Sequence, residues 1–371
     1  MLKKYTISEP FILESGAILP EVEVAFQTFG QLNAKKDNVI WVAHALTGNA
    51  DAADWWGGLV GPQKVFDPAQ DFIVCANMLG SCYGTTGPAS INPDTGKVYG
   101  ADFPMITIRD MTTLHQRLAV HLGIDRIKMG VGGSMGGQQI VEWAIAQPEL
   151  FDHLCLLATN AKHSPWGIAF NEAQRMAIEA SLSNGANGPE AGRKGLEAAR
   201  AIAMLSYRHY KTYLNSQSEE TEDKIDAFKA SSYQRYQGHK FWDRFDVYTY
   251  LTLSRAMDSH NVARNRASME HSLGQIKAKT LVIGIQSDIL FPMEEQMVLA
   301  NHIPSAQIEL LDSIYGHDGF LVEFDVIGDI IHRFLQEKIY RTTHQHYKSD
   351  PSLKKIFPVQ LPNALPGTET F

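Results

Sequence analysis

The chain is poor in cysteine, with only Cys75, Cys82 and Cys155 in 371 residues. These are too few and too scattered for a disulfide framework or a zinc site. Each falls in or near a segment that reads as a buried strand or loop, so buried thiols and no bound metal are expected. No Lys/Arg run stands out, and a formal net charge of −8 gives no electrostatic footprint for nucleic acid or an acidic membrane surface. No segment approaches the ~18 consecutive apolar residues of a membrane helix. The opening stretch MLKKYTISEPFILESG also lacks the apolar core of a secretory leader, which makes a cytoplasmic protein the expectation. No internal repeat is visible. What is present is an ordinary composition, 44% hydrophobic and 20% charged, in a chain long enough to bury a sizeable core.

Apolar periodicity divides the chain. VEVAFQTFG (22–30) alternates like a half-exposed strand, whereas NVIWVAHA (38–45), DFIVCANM (71–78) and DHLCLLAT (152–159) are near-continuous apolar runs, the mark of strands covered on both faces. ITIRDMTTLHQRLAVHLGI reads as an amphipathic helix with Asp110 as its N-cap. Alternating strands and helices predict an α/β domain with a mainly parallel sheet. From Lys162 to about Ala278 the pattern turns helical and aromatic-rich, without a convincing strand. The strand AKTLVIGIQSD then restores the α/β pattern, followed by the helix EEQMVLANHI, the strand AQIELLDS and a last helix from about Phe320 to Phe334. The organisation expected is an α/β core over 1–161 and 279–340, an inserted helical lid over 162–278, and an extended tail over 341–371. Such insertions commonly cover the carboxyl edge of the sheet, where open sheets bind ligands.

One stretch carries chemistry. VGGSMGGQQ (131–139) lies between a short strand-like run, Ile127 to Val131, and a helical run that stops at Pro148. Gly132, Ser134 and Gly136 fit G-x-S-x-G, a turn in which small neighbours let strand and helix approach while the serine takes strained dihedrals. A phosphate loop would need Lys-Ser/Thr after the last glycine, and Gln138-Gln139 stands there instead.

A serine hydroxyl is a weak nucleophile without a base, and the base needs an acid to fix its tautomer. The expected order on this fold is serine, acid, histidine. Asp288 follows a buried strand in GIQSDILFP, and His317 follows the next strand in SIYGHDGF. Asp288 could instead cap the helix near Pro292, with Asp312 or Asp258 as rival acids. The oxyanion formed on attack at a carbonyl needs two backbone donors. Met135 supplies one amide, and the turn after VIWVAHA supplies the other, from Leu46 first and Thr47 next.

Several separated segments then carry a specific likeness: HALTGNA, NMLGSCYGTTGPASINPDTGKVYGADFP, GGSMGGQQ, YQGHKF, LSRAMDSHN, SDILFP and YGHDGFL. Together they resemble the homoserine O-acetyltransferase family of α/β-hydrolase-fold acyltransferases, over about residues 5–340. The resemblance implies an α/β-hydrolase fold, acyl transfer from acetyl-CoA to L-homoserine in methionine synthesis, no permanently bound cofactor, and a homodimer. It implies Ser134 as nucleophile, His317 as base and Asp288 as orienting acid. It also implies Arg208 facing the carboxylate of the acceptor and Asp318 facing its ammonium, pairings that charge complementarity favours. Gln138 departs from the Met common there in the family, and the lid around 184–230 matches poorly. Homoserine succinyltransferases and serine acyltransferases share the architecture, and a hydrolase could use the same triad.

Overall fold

The computed structural model describes residues 1–183 and 190–336; the expected tail over 341–371 lies outside them. The strands are β1 (Lys3–Ile7), β2 (Phe11–Ile12), β3 (Ile18–Leu19), β4 (Val22–Phe29), β5 (Val39–Ala43), β6 (Phe72–Ala76), β7 (Ile127–Gly133), β8 (Phe151–Leu157), β9 (Lys279–Ile285) and β10 (Ala306–Leu311). Apart from a small β2–β3 ribbon, they form one eight-stranded sheet in the order β1, β4, β6, β5, β7, β8, β9, β10. From β6 to β10 every pairing is parallel, and β4 and β1 add an antiparallel edge.

The continuous apolar runs are strands buried on both faces, as their composition predicts. Val39, Trp41 and Ala43 of β5 enter one core cluster while Ile40 and Val42 enter the other, across the sheet. β1 carries no such signal: KKYTI is mostly exposed and joins the sheet only through β4. Cys75 and Cys155 are buried in β6 and β8, and Cys82 is partly buried in a loop; all three are free.

The helices are α1 (Ala52–Trp55), α2 (Ile108–His121), α3 (Met135–Ala146), α4 (Pro165–Ser183), α5 (Arg193–Tyr207), α6 (Tyr210–Gln217), α7 (Lys229–Trp242), α8 (Val247–Asp258), α9 (Met269–Leu273), α10 (Met293–His302) and α11 (Phe324–Leu335). Two expectations need correction. The N-cap of α2 is Thr107, not Asp110; Asp110 sits at N3, and the two exchange the reciprocal bonds of a capping box. The last helix begins at Phe324 rather than Phe320, because Gly316–Leu321 closes first into a separate 3₁₀ turn.

Helices α4 to α9 all fall between β8 and β9, and the described part of this insertion holds no strand beyond an isolated bridge, Lys162 to Asn261. The insertion is tied together by charge as well as packing. Buried Arg175 on α4 reaches Asp258 on α8 at 2.6 Å and Ser254 at 3.3 Å. At no point among the described residues is a helix long and apolar enough to cross a membrane.

Candidate active site

The chain leaves β5 for β6 on one side and later returns to β7 on the other, so the carboxyl ends of β5 and β7 flank the switch point where open sheets bind ligands. Ser134 stands there, between β7 and α3, with φ 55° and ψ −127°. These dihedrals are costly for any residue with a Cβ and mark a stored strain. The surrounding glycines are explained by contact. A Cβ on Gly136 would come within 2.0 Å of the Ala43 carbonyl oxygen, and one on Gly132 within 2.5 Å of the Gly136 backbone. The serine backbone is pinned from both sides, its amide donating to the Leu157 carbonyl at 2.9 Å and its carbonyl accepting from Thr159 Oγ1 at 2.7 Å.

Asp288 and His317 come from the loops after β9 and β10. Asp288 Oδ2 lies 2.6 Å from His317 Nδ1, while its Oδ1 accepts from the amides of Leu290 and Phe291 at 2.8 and 2.9 Å. The other candidates are placed differently. Helix α10 has Pro292 at its N-cap, Asp258 is engaged by Arg175 and Asn171, and Asp312 is exposed. The His317 ring stacks on Phe291 at 5.0 Å and meets the edge of Phe320 at 5.3 Å, which fixes its plane. Burial opposes charging of this imidazole, but the Asp288 carboxylate outweighs it, and the group is held above the usual histidine range. With Nδ1 committed to Asp288, Nε2 is the nitrogen left for the cavity that Ser134 also lines. Ser134 Oγ and His317 share no hydrogen bond among the described residues; such bonds commonly tighten only when substrate is bound.

The amide of Met135 opens α3 and, like every first-turn amide, has no partner within its helix. Leu46 lines the same cavity from the turn after β5. That turn is held from the core side by Gln139 Nε2 on the His44 carbonyl at 3.3 Å and by the Met78 amide on His44 Nε2 at 3.2 Å. His44 is fully buried, and burial lowers its pKa to about 4. It is therefore a neutral acceptor there.

The cavity, about 570 Å³, brings together Ser134, His317, Leu46, Arg208 and Asp318. Arg208 and Asp318 are also paired with each other, Nε to Oδ2 at 2.6 Å. Gly316, with φ +66°, allows that approach: a Cβ there would stand 2.8 Å from the His209 amide nitrogen. The loop carrying His317 thus rests against the end of α5.

Sequence reading missed Tyr83, Arg200, Tyr207 and Arg244, which line the same cavity. Tyr83 lies in one of the segments that carry the family likeness but was not singled out there; the other three arrive from the helical insertion between β8 and β9. The unusual Gln138 is legible only in space. Its Nε2 donates to Asn160 Oδ1 at 2.9 Å, and Asn160 Nδ2 donates to Glu295 Oε2 at 2.7 Å. These two bonds join α3 to α10.

Comparison with known proteins agrees with this fold. The sequence matches the alpha/beta hydrolase fold family over residues 38–324. It is 52% identical over 329 residues to a homoserine O-acetyltransferase of Cyclobacterium marinum, covering 89% of this chain and 93% of that one. Among solved structures it is similar to a homoserine O-acetyltransferase from Staphylococcus aureus, at 27% identity and TM-score 0.77, with 94% of this chain and 99% of that one covered. An acetylester hydrolase from Corynebacterium glutamicum shares the fold at 22% identity and TM-score 0.81, over 91% of this chain and 96% of that one.

Proposed function

The chain belongs to the homoserine O-acetyltransferase family of α/β-hydrolase-fold enzymes, and from that premise we propose a ping-pong acetyl transfer from acetyl-CoA to the hydroxyl of L-homoserine, with Ser134 as the acylated group. Ser134 Oγ attacks the thioester carbonyl while its proton passes to His317 Nε2. The oxyanion of the tetrahedral intermediate is taken up by the amides of Leu46 and Met135. The C–S bond breaks, and His317 returns the proton to the departing CoA thiolate. L-Homoserine then enters. Its hydroxyl gives a proton to His317, its oxygen attacks the acyl carbon, and the C–O bond to Ser134 breaks as the proton goes back to the serine.

The Arg208–Asp318 pair is the observation that carries the acceptor. Nε of Arg208 is used on Asp318, which leaves its terminal nitrogens for a carboxylate and the second oxygen of Asp318 for an ammonium. A dipole so arranged matches an α-amino acid and has no use for a plain ester. Burial of the acyl-serine under the lid, with the acceptor hydroxyl positioned, favours transfer over hydrolysis. Acetyl-CoA serves as co-substrate rather than a resident cofactor, and the product feeds methionine synthesis in the cytoplasm. A homodimer is the expected assembly.

CoA release from acetyl-CoA or succinyl-CoA, with L-homoserine or L-serine as acceptor and Ser134→Ala as control, tests this reading. Release that depends on acetyl-CoA and L-homoserine and disappears in the variant supports it. Release indifferent to the amino acid would make the protein a thioesterase.

A further inference from the structure

Arg244, between α7 and α8, is the lid residue that touches the oxyanion turn. Its Nη1 donates to the Thr47 carbonyl at 2.9 Å and lies 2.8 Å from Tyr83 Oη. The guanidinium is positioned by aromatic packing: it lies over the Phe241 ring at 5.0 Å, and Phe241 stacks on Phe245 at 4.9 Å. No carboxylate among the described residues forms an ion pair with it. Thr47 directly follows Leu46, the proposed donor; Gln139 and Met78 hold the start of the turn through His44, and Trp55 Nε1 holds its end by donating to the Asn49 carbonyl at 2.9 Å. Within the turn the Ala45 carbonyl accepts from the Gly48 amide and from His44 Nδ1, both at 2.9 Å, and the Thr47 carbonyl is held by Arg244.

We propose that Arg244 is a positioning residue for acyl transfer: by fixing the Thr47 peptide from the lid, it aims the Leu46 amide at the developing oxyanion. This inference rests on the acyl-serine reading above. Its consequence is that the lid completes the oxyanion hole as well as covering it. An amide donor works only when it meets the oxyanion at hydrogen-bond distance, and an ångström of misplacement can cost about a hundredfold in rate.

The test is the pre-steady-state burst of acylation by p-nitrophenyl acetate, an acetyl donor with neither phosphates nor an amino-acid acceptor, run beside acetyl-CoA. In Arg244→Gln the acylation rate falls about 10- to 100-fold with both donors by the same factor. KM for acetyl-CoA stays unchanged, and added ethylguanidinium restores part of the rate in Arg244→Ala. Arg244→Lys, which keeps a charged donor, retains more activity than Arg244→Gln and covers the case in which the shorter side chains fail to fold. An unchanged burst, or a loss confined to acetyl-CoA and expressed in KM, would overturn the proposal; the second result would make Arg244 a donor contact. Absence of transfer to L-homoserine by the unaltered protein, with the burst still sensitive to Arg244, would remove the proposed acceptor and leave the positioning role standing.

Discussion

Arg208 Nε and Asp318 Oδ2 lie 2.6 Å apart, so the end of inserted helix α5 is joined by charge to the residue that follows His317. The two halves of the proposed acceptor site are therefore one unit, and neither can be altered without disturbing the other.

Arg208→Ala and Asp318→Ala are expected to raise KM for L-homoserine about 10- to 100-fold each, the value of one or two charge-assisted hydrogen bonds, while the acylation burst survives. In a double-mutant cycle the two losses add to less than their sum. Equal damage to the burst and to transfer would move the pair from acceptor binding to the structure of the triad loop.

A second expectation concerns pH. His317 must be neutral to accept a proton, and its pKa is held above the usual histidine value of ~6.5 by Asp288. The rate of acylation should rise with pH along a limb whose midpoint lies above ~6.5. Asp288→Asn should move that limb to lower pH and cut the rate by about 10³-fold or more, the scale known when a triad acid is replaced by its amide. For stability the sign is opposite. The native state binds the proton more tightly than the unfolded chain, so the contribution is complete below the unfolded pKa and is lost as pH rises through the folded one. A pH profile with its midpoint unmoved in Asp288→Asn would contradict this account.

Acid should weaken the fold through other histidines. Burial lowers His44 to about 4 and His115, His163 and His260 to about 3. Below ~6.5 the unfolded chain takes up protons that these native side chains refuse, so stability falls as pH falls, by up to ~1.4 kcal/mol per pH unit for each group. His115 is the clearest case, since neither ring nitrogen has a hydrogen-bond partner and the ring lies 5.7 Å from Trp41. His115→Leu should narrow the gap between melting temperatures at pH 8 and pH 5. A gap as wide as in the parent protein would show that this ring is hydrated or charged in the native state.

Glycine substitutions separate crowding from conformational freedom. Gly136→Ala would place a methyl 2.0 Å from the Ala43 carbonyl oxygen, backbone against backbone. Destabilisation should exceed the ~1–3 kcal/mol of ordinary overpacking, seen in thermal melts. Gly328→Ala on α11 meets only Leu59 at 3.7 Å and should be neutral or stabilising by up to ~1 kcal/mol, the helix propensity of alanine over glycine. Similar melts for the two variants would mean that β5 and α3 are less closely packed than described.

Much of this architecture was legible because burial and chemistry leave periodic traces. Double-sided burial made β5, β6 and β8 continuous apolar runs, and the proposed nucleophile turn, acid and base each follow a strand in the order the fold demands. Where the reading slipped, two signals competed. Asp110 and Thr107 both suit a cap, and only the backbone dihedrals of Thr107 decide between them. Phe320 continues the apolar pattern of α11, yet its carbonyl is used by Trp56 Nε1 at 2.9 Å, within a turn that precedes the helix. Tyr83 fell within a segment read only for its likeness, and Arg244 within none, because the contacts Arg244 makes with Thr47 and Tyr83 span 197 and 161 positions.

The contact between Gly136 and Ala43 also bears on how such an enzyme changes. The proposed nucleophile turn and the end of β5 touch backbone to backbone, so that part of the molecule tolerates almost no tinkering. The proposed acceptor partner Arg208 hangs instead from the inserted helices, at the end of α5. New acceptors are therefore more readily reached by varying the inserted helices than by redesigning the base beneath them, and a library confined to the end of α5, leaving Arg244 intact, is the economical place to look for them.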